Sequence, residues 1–184
     1  MNFTVPNLLS LLRMGLIPVF VVALLQGRLA RALVVFCIAG VTDLLDGLIA
    51  RFLGQQSVLG AYLDPIADKL LLMTAYVMLA VPGLHAGMLV PLWVTALVLT
   101  RDVVVVVVVM VFYLALAVRS FPPSWLSKTN TAAQITTVIL VLASGMTPYA
   151  LPVARFAVYF VAVSTLASGI DYVLRANRLA AHRG

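Results

Sequence analysis

Long apolar runs separated by short breaks are the feature that most constrains the fold of this chain. A membrane-spanning helix needs about 20 consecutive apolar residues, and the sequence divides into six such runs, near 8–26, 32–51, 61–80, 88–115, 129–145 and 152–174. Because hydrocarbon offers no hydrogen bonds, each run must satisfy its backbone groups internally, which favours helix even for the valine block 103–109. We predict an all-α integral membrane protein with six transmembrane helices, preceded by a short interfacial helix at the N-terminus.

The composition supports this class and excludes others. Hydrophobic residues make up 64% of the chain, charged residues make up 10%, and the mean hydropathy of +1.14 lies far from that of a soluble domain. The net charge is +6, but the basic residues are scattered singly, which favours contact with anionic lipid headgroups over nucleic acid. Since no linker is long enough to divide the chain, we expect a single domain over residues 1–184.

The distribution of basic residues predicts the orientation in the membrane. If the N-terminus is cytoplasmic, six basic residues of the loops and tail lie inside and three lie outside. An excess of basic residues is typical of cytoplasmic regions, so both termini and the loop between the second and third helices are expected on that side. We expect the bacterial inner (plasma) membrane, with the active site facing the cytoplasm.

Four of the six acidic residues are concentrated within 26 positions of the second and third apolar runs: Asp43, Asp46, Asp64 and Asp68. A carboxylate in hydrocarbon costs several kcal/mol unless it is paired or coordinated. The spacings of three and four place each pair on one helical face. We expect residues 52–59 to connect the helices as an antiparallel hairpin, so that the four carboxylates converge and require a compensating cation.

The chemistry around these aspartates favours phosphoryl transfer. Oxygen ligands without nearby histidine or cysteine select Mg²⁺ or Mn²⁺, and about one or two ions would offset four negative charges. If the second helix ends near Arg51, Asp43 lies about 12 Å below the membrane boundary, at the level of headgroups and upper acyl chains, where a lipid substrate with a phosphate at that depth would meet it. Gly47 and Gly60 would let a pyrophosphate approach the backbone, and Arg51 is placed to clamp phosphate oxygens.

The pattern Asp43-x2-Asp46-Gly47-x2-Ala50-Arg51-x8-Gly60-x3-Asp64-x3-Asp68 matches every fixed position of the signature of the CDP-alcohol phosphotransferases. These are integral membrane enzymes that make phospholipid headgroups, and the six-helix prediction resembles their fold over essentially the whole chain. The N-terminal segment from Val5 to Arg13 also resembles the opening of the family's phosphatidylglycerophosphate and cardiolipin synthases.

The resemblance implies a homodimer with two divalent ions per protomer, which transfers a phosphatidyl group from CDP-diacylglycerol to an alcohol and releases CMP. It implies that the metal ligands are Asp43, Asp46, Asp64 and Asp68. Asp68 would also be the general base. The implied contacts to the CDP moiety are Gly47, Ala50, Arg51 and Gly60. We add Asn7 to this group as a candidate, with capping of the first helix as the alternative.

Two short motifs bear on the acceptor. Family members that use glycerol-3-phosphate resemble one another in having a second basic residue two positions after the fifth-helix lysine and a further arginine after the fourth-helix arginine. Here Lys128 is followed by Thr129-Asn130-Thr131, and Arg101-Asp102 is followed by valines. This resembles the cardiolipin synthases, whose acceptor phosphatidylglycerol carries one phosphate charge, for which Arg101 and Lys128 could suffice. We expect phosphatidylglycerol as acceptor, with glycerol-3-phosphate as the alternative.

Other interpretations stay open for several charged residues. Arg101 and Asp102 could be a structural pair, although adjacent residues do not face each other on a helix. Lys69 could balance charge or snorkel towards the interface, and Arg13 could be another snorkelling side chain. The main rival function is a cation-coupled transporter. It predicts broken helices or an inverted repeat, and the sequence shows no internal repeat.

Overall fold

A computed structural model describes the backbone of residues 5–53, 58–84, 88–116 and 125–181, and the side chains of residue 8 and of 11–42, 69–84, 88–107 and 125–175. The described residues form six α-helices and contain no strand. The helices are α1 (Val5–Leu25), α2 (Leu29–Leu53), α3 (Val58–Ala80), α4 (Leu92–Leu116), α5 (Trp125–Ser144) and α6 (Leu151–Ala181). The prediction of six helices and no strands is confirmed for the described residues.

Several helix bounds differ from the predicted ones: α4 begins at Leu92 and α5 at Trp125, against predicted starts at 88 and 129, and the first and last helices differ as well. Residues 5–7, predicted to belong to a separate interfacial helix, are part of the continuous α1. Asn7 therefore lies inside a helix, so the capping alternative is wrong. At the other end, α6 is preceded by a 3-10 turn at Pro148–Ala150 and continues to Ala181, beyond the predicted end at 174.

The turn between α1 and α2 shows how the sequence ends one helix and starts the next. Gly27 adopts a φ of 67°, a conformation that glycine reaches without steric cost. Its N–H donates to the carbonyl of Leu24 at 2.9 Å, and the N–H of Arg28 donates to the carbonyl of Ala23 at 2.9 Å. These two bonds form a Schellman motif, which closes α1 and turns the chain directly into α2.

The packing of the helices places α2 and α3, which carry the signature, beside a common neighbour. α1 packs against both α2 and α3, α5 packs against α6 and α2, and α4 packs against α6. In the core, the rings of Phe20 on α1 and Phe36 on α2 lie 5.9 Å apart. Tyr76 on α3 and Val138 on α5 are also buried in this core. The helices therefore share one hydrophobic core.

The outer surface carries many large apolar side chains, including Leu92, Phe156, Phe160, Val163 and Ile170. An apolar surface of this extent fits lipid rather than water. Among the described residues, one helix, over Pro148–Arg175, is long and apolar enough to cross a membrane. Shorter apolar helical stretches occupy Leu11–Leu25, Leu29–Thr42 and Lys69–Ala80.

Candidate active site

The residues of the aspartate signature lie on two helices that flank one short connection. Asp43, Asp46, Gly47, Ala50 and Arg51 belong to α2, and Gly60, Asp64 and Asp68 belong to α3. Because both segments are helical, aspartates three or four positions apart lie on the same helical face. The side chains of these eight residues, and that of Asn7, lie outside the described part of the chain, so the convergence of the carboxylates stays a prediction.

The described charged residues next to this region form an ion-paired cluster, which we call the Arg101 cluster, of Lys69, Arg101 and Asp102. Lys69 follows the last signature aspartate on α3, and its Nζ lies 2.9 Å from Oδ2 of Asp102 on α4. The other carboxylate oxygen, Oδ1, accepts from Nη1 of Arg101 at 2.8 Å. Both oxygens of a carboxylate that is 1% exposed are thus occupied by cations, as a buried charge requires.

Arg101 extends this cluster to two further helices. Its Nη2 donates to the hydroxyl of Ser127 on α5 at 2.8 Å and to the hydroxyl of Ser168 on α6 at 2.6 Å. The residue as a whole is 7% exposed. The contacts of Lys69 and Asp102 link α3 to α4, and the guanidinium group of Arg101 links α4 to α5 and α6.

These contacts, together with the burial of Arg13, decide between alternatives that the sequence left open for three residues. Arg101 and Asp102 do pair, because the long arginine side chain folds back to its neighbour, so the argument from helical faces was wrong for this pair. Lys69 is bound to a carboxylate on another helix and balances its charge, so the snorkelling alternative is wrong. Arg13 is fully buried in α1, which rules out a lipid-facing position.

Lys128, the second residue predicted to bind the acceptor, lies in a different environment. It is exposed, and its Nζ lies 6.0 Å from the centre of the ring of Trp125, one turn earlier on α5. That distance is at the limit of a cation–π interaction. Ser127, its neighbour, bonds to Arg101, but no described contact brings the Lys128 ammonium group to the Arg101 cluster.

Asn130, two positions after Lys128 on α5, is fully buried. Its side-chain carbonyl oxygen accepts from the hydroxyls of Ser164 at 2.8 Å and Thr165 at 3.0 Å, both on α6. Thr137, two turns further along α5, donates to the carbonyl of Ala157 on α6 at 3.2 Å. Neutral hydrogen bonds therefore continue from the Arg101 cluster along the α5–α6 contact.

Sequence reasoning missed this neutral network, although the signal was present. Ser127, Asn130, Gln134 and Thr137 recur at spacings of three and four, which places them on one face of α5. Gln134 is also fully buried, and no partner for its side-chain amide occurs among the described residues. The face of α5 that enters the bundle is thus polar over its first three turns, and its buried residues further along, Val138, Val141 and Leu142, are apolar.

The described side chains offer no metal site of their own. Within the part of the chain whose side chains are described, no group of three or more histidine, cysteine, aspartate or glutamate residues lies together. The four signature aspartates are outside that part, and they remain the candidate donors.

Comparison with known proteins assigns the family. The family model described as CDP-alcohol phosphatidyltransferase matches residues 3–169. The chain is 36% identical over 189 residues to the human protein named cardiolipin synthase (CMP-forming), with 92% of this chain and 60% of that protein covered. It is 37% identical to the rat protein of the same name, with 80% of this chain and 53% of that protein covered.

A mycobacterial relative is similar over more of its own length. The chain is 39% identical over 180 residues to the Mycobacterium tuberculosis (strain ATCC 25618 / H37Rv) protein named probable phosphatidylglycerophosphate synthase, with 94% of this chain and 81% of that protein covered. The chain spans less than two thirds of the two mammalian relatives. The match over residues 3–169, together with these identities, shows that the chain belongs to the CDP-alcohol phosphatidyltransferase family.

Proposed function

We propose that this chain transfers a phosphatidyl group from CDP-diacylglycerol to an alcohol acceptor and releases CMP. The observation that carries the proposal is the complete aspartate signature, divided between α2 and α3 on either side of residues 54–57 in a chain of this family. The rival transporter function predicts broken helices. The helices bearing the signature, α2 and α3, are each continuous, which supports the enzyme instead.

The residues present fit two divalent ions, Mg²⁺ or Mn²⁺, per protomer. Four carboxylates without histidine or cysteine neighbours in sequence are a hard, oxygen-only donor set. The proposed ligands are Asp43, Asp46, Asp64 and Asp68. When bound, the ions would neutralise the charge of the pyrophosphate and of the leaving CMP.

The proposed reaction is a single displacement at phosphorus. Asp68 accepts the proton of the acceptor hydroxyl, whose oxygen attacks the phosphorus bonded to the diacylglycerol. The bond from that phosphorus to the bridging oxygen breaks, and CMP leaves with the bonding electrons. Gly47, Ala50, Gly60 and Asn7 are proposed to contact the CDP moiety, and Arg51 is proposed to clamp its phosphate oxygens.

Phosphatidylglycerol is the proposed acceptor, which would make the chain a cardiolipin synthase; glycerol-3-phosphate is the second candidate. Two features favour the monoanionic lipid. The Arg101 cluster contains two cations and one carboxylate, and its single net charge matches a phosphodiester better than a dianionic phosphomonoester. Asn130 supplies a neutral, buried amide where another cation would be needed for the dianion. Arg101 and Lys128 are the proposed acceptor-binding residues.

We further propose that all six helices span the bacterial inner membrane, that the termini and active site face the cytoplasm, and that two copies form a homodimer. The apolar outer surface of the described helices supports the spanning arrangement. The excess of basic residues in the loops on the signature side supports the orientation.

The test is CMP release by purified protein supplied with CDP-diacylglycerol and either Mg²⁺ or Mn²⁺, with phosphatidylglycerol or glycerol-3-phosphate as the only acceptor. We expect release with phosphatidylglycerol, loss of release with a chelator, and loss in Asp43→Ala and Asp68→Ala. Asp171→Ala is the matched control, because it removes an aspartate that pairs with Arg175 on α6. Full activity of Asp68→Ala would contradict the role of Asp68 as general base. The absence of CMP release with both acceptors would contradict the proposed reaction.

A further inference from the structure

A cleft of about 370 Å³ lies between α4 and α6. Its walls include Leu97 and Val104 from α4 and Leu166, Ile170 and Val173 from α6. The three α6 side chains are 52%, 61% and 56% exposed, so the cleft opens on the outer surface of the bundle. Its volume is within the range of small-molecule sites, and on a membrane helix the surrounding solvent is lipid.

The cleft offers hydrocarbon contacts because most of the residues that line it are apolar. The Arg101 side chain contributes to the lining, while its Nη1 atom bonds to Asp102 and its Nη2 atom bonds to Ser127 and Ser168. The hydroxyl of Thr165 donates to Asn130 at 3.0 Å, and the hydroxyl of Tyr172 donates to the carbonyl of Val105 at 3.4 Å. An alkyl chain therefore fits this cleft better than a polar ligand.

Charge decides which lipid the alkyl chain belongs to. The arginine that lines the cleft is part of the Arg101 cluster, which has two cations and one carboxylate and so carries a net positive charge. Lys69 of that cluster follows Asp68, the proposed general base, on α3. A lipid with a chain between α4 and α6 would thus have its head near a cationic group and near the signature, which favours an anionic phospholipid.

We propose that the α4–α6 cleft seats an acyl chain of the lipid acceptor, an anionic phospholipid with a free headgroup hydroxyl. The inference rests on the proposed function and deepens it, since it makes the acceptor a membrane lipid held by its tail. It also assigns a role to Gly169, which lines the cleft and leaves it open beside Arg101.

Gly169 provides the test. A Cβ atom at this position would lie 3.8 Å from Cγ of Arg101, an ordinary contact, so the backbone can accept a side chain. In Gly169→Leu, the remaining atoms of the leucine would occupy the cleft. We expect the KM for dioleoyl phosphatidylglycerol to rise about tenfold, equivalent to about 1.4 kcal/mol, and the KM for CDP-diacylglycerol to stay within about twofold. Dihexanoyl phosphatidylglycerol, with short chains, should be affected much less.

The control is Gly15→Leu, which makes the same substitution on α1 at an exposed position where a Cβ would meet nothing within 4 Å. It should leave both KM values unchanged. An unchanged KM for dioleoyl phosphatidylglycerol in a folded Gly169→Leu protein, or equal rises for the long-chain and short-chain acceptors, would overturn the proposal.

A binding measurement separates this proposal from the proposed reaction. Wild-type protein is irradiated with phosphatidylglycerol that carries a diazirine on one acyl chain, and labelled peptides are mapped. We expect labels on α4 and α6 that unlabelled phosphatidylglycerol removes and that Gly169→Leu weakens. Labels confined to other helices, or removed only by CDP-diacylglycerol, would overturn the acceptor cleft. Labelling of α4 and α6 without any CMP release would instead contradict the proposed reaction.

Discussion

Arg101 and Lys128, the two cations predicted to serve one acceptor, lie in opposite environments. Arg101 is buried and bonded to Asp102, Ser127 and Ser168 across three helices. Lys128 is exposed beside Trp125. A buried cation depends on every partner that replaces its water, whereas an exposed one is solvated with or without them. We therefore expect substitutions around Arg101 to alter both stability and activity, and substitutions at Lys128 to alter mainly activity.

The largest effect is expected from Asp102→Ala. It leaves Lys69 and Arg101 without the carboxylate that both contact. Breaking a buried ion pair by removing one partner costs about 3–5 kcal/mol, so the free energy of unfolding in detergent should fall by that amount.

The control for this prediction is Asp171→Ala, which removes the carboxylate of an i,i+4 pair with the exposed Arg175. Its cost should be about 0.5 kcal/mol or less. Equal losses from the two substitutions, measured by thermal or denaturant unfolding, would mean that the Arg101 cluster is no more buried than a surface pair.

Arg101→Lys should have the next largest effect. The charge is kept, but a lysine ammonium group cannot reproduce the arginine fork that bonds Ser127 and Ser168 together with Asp102. Removing the donor to the buried hydroxyl of Ser168 costs about 1–3 kcal/mol, and CMP release with phosphatidylglycerol should fall as well. Lys128→Arg is the matched exchange at the exposed site. If neither exchange changed the free energy of unfolding or CMP release, the hydrogen bonds of Arg101 would have no role in stability or acceptor binding.

Asn130→Leu tests the neutral part of the same interior. Thr165 loses the acceptor of its hydroxyl bond, while Ser164 keeps a second bond to the carbonyl of Val161 at 3.0 Å. We expect a loss of about 1–3 kcal/mol in unfolding free energy. The double variant Asn130→Leu with Thr165→Val should be less destabilised than the sum of the two single variants, because the unpaired hydroxyl is gone. If the stability losses of the two single variants were fully additive in the double variant, Asn130 and Thr165 would not be coupled.

A smaller effect on stability than those of Asp102→Ala, Arg101→Lys and Asn130→Leu is expected from Lys128→Ala. Loss of a cation–π contact at an exposed site costs about 0.5–1 kcal/mol at most. If Lys128 binds the acceptor phosphate, the KM for phosphatidylglycerol should rise about fivefold, equivalent to about 1 kcal/mol. An unchanged KM would remove Lys128 from the acceptor site and leave Arg101 as the only candidate of the two.

The sequence predicted the helices well because hydrocarbon solvent permits few alternatives. Even the valine block of α4 is helical as expected, and the break at Gln26-Gly27-Arg28 is a helix-ending turn because glycine can adopt a positive φ. The end of α6 was harder to predict, since the helix continues past the predicted end at residue 174 through a segment that contains Arg175, Asn177 and Arg178.

Side-chain partners between helices were the weakest part of the sequence prediction. Charge and spacing identified Arg101, Asp102 and Lys69 as notable, but not that they bind one another across α3 and α4. Such pairing depends on which helices are neighbours and on how far a long side chain can fold back. In the sequence, Asn130 was of interest because it is not a basic residue. In the structure, its side-chain oxygen accepts hydrogen bonds from two hydroxyls on α6.

The most direct test of the proposed reaction is a competition between acceptors. Purified protein is given CDP-diacylglycerol with phosphatidylglycerol and glycerol-3-phosphate together, and the lipid products are identified by mass spectrometry. We predict that cardiolipin, with four acyl chains, is the main product and that it appears in step with CMP. Phosphatidylglycerophosphate as the main product would contradict the assignment of a monoanionic lipid acceptor to the Arg101 cluster.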